Sequence, residues 1–152
     1  IASSEEGPND MMRGLYSRAK NWGITMQYDF EFDRFQYTQE YKDRRSQVIY
    51  ISSNKENKTK KNISMIRFTS PCMNLSGKDS GKLSMKQMQK LLEMNASPDM
   101  HSRFGIDSKN KQLIVISDQI EQTLDKEEFE HQFKEVAKVA DEYEKTMGLD
   151  KF

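Results

Sequence analysis

The sequence predicts an α+β fold in the order α-β-β-β-α-β-β-α, a bent antiparallel sheet covered by helices. Two observations carry this. Apolar residues recur at spacings of three and four in three separate places, near the start, the middle and the end of the chain. Between those places the spacing falls to two and the residues become β-branched and aromatic, as half-buried pleated strands prefer.

The first helix is expected from about Asp10 to Trp22, where Met12, Leu15, Tyr16, Ala19 and Trp22 form one stripe. Asn9 or Asp10 can cap it and Gly23 can end it. From Ile24 to Leu75 the two-residue period predicts a meander. Tyr28, Phe30 and Phe32 alternate with polar residues, then Phe35, Tyr37, Gln39 and Tyr41 resume out of phase, so a bulge or bend is expected at Asp33-Arg34. Val48 to Ser52 and Ile63 to Ser70 read as the next strands, flanking the polar run 54–61 in a long hairpin.

After the break at 76–81, Ser84 and Gln87 form a capping box that opens a helix bearing Met85, Met88, Leu91 and Leu92 on one face, and Ser97-Pro98 closes it. Ser102 to Ile106 and Gln112 to Ile116 predict a tight hairpin. Asp125 with Glu128 caps the last helix, whose stripe runs Phe129, Phe133, Val136, Ala140, Tyr143, Met147 until Gly148 stops it.

With 152 residues the chain fits one domain, expected over residues 10–150 behind a flexible lead-in at 1–9. It begins at Ile1, as after removal of a leader or a trimmed start, so the compartment stays open; a cytoplasmic setting is favoured, with export after removal of a leader the alternative. No apolar run approaches the roughly 20 residues of a membrane span. Basic and acidic residues both number 24, so no global field favours nucleic acid, and no nucleic-acid partner is expected. The basic run Lys55 to Lys61 and the pair Arg44-Arg45 lack interleaved aromatics and read as solubilising hairpin tips.

Catalytic constellations are weak. The single Cys72 has no partner for a disulfide or redox pair and reads as a packed thiol. His101 and His131 lie on different elements with no matching Cys or second His nearby, so no metal site is expected; they read as a turn residue and a solvated helix residue. Asp29, Glu31 and Asp33 would share one strand face and could serve a carboxylate-based, metal-dependent hydrolase, but strand alternation alone produces the same pattern. The glycines around Lys78 lack the Gly-Lys-Ser/Thr ending of a phosphate loop. No enzyme activity and no cofactor are therefore expected. The excess of methionine around the middle helix points to binding: thioethers adapt to varied apolar partners, which makes Met85, Met88, Leu92, Met94 and Met100 the candidate partner-binding residues.

The element order, with Leu91-Leu-Glu-Met-Asn95, Arg103-Phe-Gly-Ile-Asp107, Leu113-Ile-Val-Ile116 and Val136-Ala-Lys-Val-Ala-Asp141, resembles the type III secretion chaperone-like and YbjN-like family. The resemblance spans about Asp10 to Met147. It implies a bent sheet covered by helices, often in a homodimer, that acts by holding a segment of a partner protein on a sheet edge and an apolar helix surface. The YbjN-like branch implies instead a regulatory or exported domain whose ligand is undefined. The neutral charge and the basic hairpin 55–61 depart from the secretion chaperones, many of which are acidic.

Overall fold

A computed structural model describes residues 10–53, 64–77 and 82–146. Helix α1 (Asp10–Asn21) leads into strands β1 (Gln27–Asp29), β2 (Arg34–Glu40), β3 (Ser46–Ser53) and β4 (Met65–Asn74). Helix α2 (Met85–Asn95), strands β5 (Arg103–Asp107) and β6 (Gln112–Ile120), a short 3-10 turn (Glu121–Thr123) and helix α3 (Lys126–Thr146) follow. The six strands form one sheet in the order β1-β2-β3-β4-β6-β5, with every neighbouring pair antiparallel. The α+β class and helix-covered antiparallel sheet are those the sequence predicts.

One segment divides differently. Residues 28–41, expected as one strand with a bulge or bend, are two strands joined by a tight turn, so four strands precede α2. The turn is built by Asp33, whose φ of 49° is in the left-handed region that Asp tolerates, and by the Asp29 carboxylate, which accepts the Glu31 N–H at 3.1 Å. The out-of-phase aromatics were the signal of a reversal of the chain. The lead-in at 1–9, the loop 54–61 and Met147-Gly148 lie outside the described residues.

One face of the sheet carries the core. Phe35, Ile49, Ile51, Ile66, Phe68, Leu113 and Val115 are buried against α1 and α3, where Leu15, Phe129 and Phe133 meet them. Phe129 packs edge-on to Phe68 and tilted against Trp22, and Tyr37 meets Phe133, so aromatic contacts join the sheet, and the turn that follows α1, to α3. Beyond Thr69, β4 no longer pairs with β3, and a register shift between Pro71 and Met73 admits a proline within an interior strand. Gln47 fills this gap. Its amide donates to Ser70 Oγ at 2.8 Å and to the Pro71 carbonyl at 2.7 Å, while Ser70 donates to the Val48 carbonyl at 2.6 Å.

The opposite face is mixed, with Val48 and Ile116 buried and Ile120 exposed on the side that also carries a charged fork. Asp118 accepts hydrogen bonds from Arg67 at 2.8 and 3.0 Å and from Arg103 at 2.9 Å. Desolvation pushes its carboxyl up, but the two guanidinium groups outweigh that and hold it below the usual carboxylate range. Among the described residues, no helix is long and apolar enough to cross a membrane.

Candidate partner-binding site

Helix α2 begins where the capping box predicts. Ser84 Oγ accepts the Gln87 N–H at 3.1 Å, and the Gln87 side chain accepts the Ser84 N–H at 2.8 Å. The helix is docked at its other end, where the Asn95 amide accepts the Phe104 N–H at 2.7 Å and donates to the Phe104 carbonyl at 3.1 Å. Asn95 thus behaves like one residue of an extra strand, anchoring α2 on the outer edge of β5. Between the cap and Asn95, Leu91 alone is buried.

The single stripe expected on α2 divides in two. At about 100° per residue, Leu91 and Met94 project to one side of the helix and Met85 and Leu92 to the other, with Met88 between Leu91 and Leu92. Leu91 and Met94, with Met100 from the loop that follows, face Val139 and Tyr143 of α3 across a groove of about 630 Å³. Lys90, Lys138 and Glu142 supply a rim of mixed charge. On the other side, Met85 is 81% and Leu92 68% exposed. Met88 and Met94 are each about a third exposed, and Met100 is partly buried against the core. The five candidate residues therefore lie on one helix and its following loop but present two surfaces.

Sequence reasoning missed two groups. Phe30 and Phe32, read as the inner side of a strand, sit in the β1–β2 turn and are exposed, with Arg34 stacked over Phe32 and Tyr50. His101 and His131, read as isolated, touch: Nδ1 of His101 is 2.8 Å from Nε2 of His131. No local pattern announces that contact, because it depends on the α2–β5 loop lying against α3.

The chemistry weighed for other residues is absorbed by structure. Asp29, Glu31 and Asp33 do not share a strand face: Asp29 ends β1 and pairs with Arg34 at 3.3 Å, Glu31 is in the turn, and Asp33 accepts a hydrogen bond from the Tyr28 hydroxyl. Burial and that contact push the Tyr28 phenol up to about 12. Cys72 is fully buried, and burial reinforced by Glu144 pushes its thiol up, the reverse of an activated nucleophile. Arg45 is not a free hairpin-tip cation but meets Asp141 at 2.8 Å and Glu144 at 3.6 Å on α3.

No protein-family profile and no curated protein sequence matches this chain. Solved structures do. A chain of the ExsC–ExsE complex matches with a TM-score of 0.56 at 13% identity, covering 88% of this chain and 90% of that one. A chain of the HopA1–SchA chaperone–effector complex matches with a TM-score of 0.56 at 10% identity, covering 89% and 94%. At such identities the likeness is one of fold, and it bears out the secretion-chaperone-like fold implied by the sequence resemblance.

Proposed function

We propose that this chain is a non-enzymatic, chaperone-like protein-binding domain that holds an extended segment of a partner protein along α2. The observation that carries this reading is the exposure of the helix: eleven residues long and tied to β5 through Asn95, it buries Leu91 and leaves Met85 and Leu92 in solvent. Clustered exposed apolar side chains are a binding surface more often than an accident. The groove between α2 and α3 would take apolar side chains of the segment on Leu91, Met94 and Met100, while Met85, Met88 and Leu92 extend the contact over the outer side of the helix. The fold likeness to a chain of a chaperone–effector complex supports the same class of role.

The sheet edges contribute less than the resemblance implies. Asn95 occupies the backbone groups of Phe104 at the centre of β5, and β1 offers three residues. Short or covered edges resist strand addition. The open end of the sheet is β1, beside exposed Phe30 and Phe32, and we assign any strand pairing by the partner to that edge. A cytoplasmic setting and a homodimer fit this reading.

A photocrosslinking amino acid placed at position 92 or 94, in chain exposed to lysate of its source, should give one discrete adduct. The same group at position 109, in the β5–β6 turn, should give none. Absence of adducts at 92 and 94, or equal labelling at all three, would overturn the proposal. Light scattering of the purified chain reads the homodimer separately.

A further inference from the structure

We propose that His101, His131 and Glu135 form a binding site for a divalent transition-metal ion of the zinc class. One ligand atom from each residue lies within 4.8 Å of the others, the one such group of three His, Cys, Asp or Glu among the described residues. His131 and Glu135 are four residues apart on α3 and so rise from one face of the helix. His101 comes from the loop between α2 and β5, and its imidazole stands 2.8 Å from that of His131 with ring centroids 5.0 Å apart.

The chemistry of the set selects the ion. Two imidazole nitrogens and one carboxylate oxygen are the donors of open zinc sites, in which solvent or a ligand completes the tetrahedron. Borderline ions such as Zn²⁺, Ni²⁺ and Cu²⁺ suit imidazole, whereas Mg²⁺ and Ca²⁺ require oxygen donors. The needed movement is small: two nitrogens at ~2.05 Å from one ion in a tetrahedron stand roughly 3.3 Å apart, a slight opening of the present pair. Both histidines are exposed, so the rings can part and the ion can enter.

Glu135 is already prepared for the role. One carboxylate oxygen accepts the His101 backbone N–H at 3.0 Å, which fixes the loop beside the helix. The other is buried without a hydrogen-bond partner. Such an acceptor is costly to leave unsatisfied, and a cation beside it would offset that cost. The site lies against the groove, since Glu135 also lines it together with Met100. Metal binding would therefore staple the loop after α2 to α3 at that wall. The inference rests on this geometry alone and holds whether or not α2 binds a protein.

The test is calorimetric titration of the full chain with Zn²⁺, with imidazole ¹⁵N spectra of the same samples. The chain has two histidines and its lone cysteine is buried, so the imidazole signals report the site without overlap. One ion per chain should bind saturably, both histidines should shift together, and Mg²⁺ should do neither. His131→Ala should weaken Zn²⁺ at least about tenfold, and Glu135→Gln should weaken it while leaving the far-ultraviolet spectrum unchanged. Absence of saturable one-to-one binding, or full affinity in both variants, would overturn the site.

Discussion

Helices α2 and α3 are both amphipathic and both open at a side-chain cap, yet they meet different fates. Over 21 residues α3 buries Phe129, Phe133, Val136, Ala137 and Ala140, along with polar Gln132, Asp141 and Glu144. Over 11 residues α2 buries Leu91. The difference is position: α3 lies across the core face of the sheet, while α2 is fixed at the β5 edge through Asn95 and has sheet beneath little of its surface. Periodicity in a sequence thus reports that a helix has an apolar face. It does not report that the chain itself covers that face.

The sharpest way to break the comparison is to treat α3 as if it were surface. Phe129→Ala should cost about 3–5 kcal/mol in chemical unfolding, because it removes a fully buried ring that touches Trp22, Phe68 and Phe133. A loss below about 1 kcal/mol would show that the α3 packing is misassigned. Arg45→Met comes next. It takes away the guanidinium that faces the buried carboxylates of Asp141 and Glu144, and should cost about 3 kcal/mol in the same measurement.

A smaller effect separates the two sheet faces. Asp118 is held below its ordinary 3.8 by Arg67 and Arg103, so its contribution is fully present above that value and is lost as pH falls through the lowered one. Unfolding measured at falling pH should show this acid-side loss in the parent chain and less of it in Asp118→Asn. That variant should be weaker by about 1 kcal/mol at neutral pH, since the fork is partly exposed. Equal pH profiles would remove Asp118 from the account. Smallest of all should be the stability change on serine substitution at Met85 and Leu92, within about 0.5 kcal/mol, because neither side chain is packed.

Local chemistry was legible in the sequence wherever it was self-contained. The caps Ser84–Gln87 and Asp125–Glu128 both form as their three-residue spacing requires. The aromatic run 28–37 was misleading because a turn that sets Tyr28 edge-to-face with Phe30 keeps the alternation of a strand. The methionine-rich helix was legible as apolar, but its division into two surfaces required the place of α3. The His101–His131 contact was illegible for a related reason. It joins residues thirty apart, and docking of one loop creates it.

The central claim is that the outer face of α2 serves a partner and not the core. Its most direct test pairs two numbers on Met85→Ser/Leu92→Ser: the unfolding free energy, and the affinity for the protein that crosslinks at positions 92 and 94. Stability unchanged within about 0.5 kcal/mol with affinity reduced at least about tenfold is the expected result. Unchanged affinity, or a stability loss of several kcal/mol, would contradict the claim.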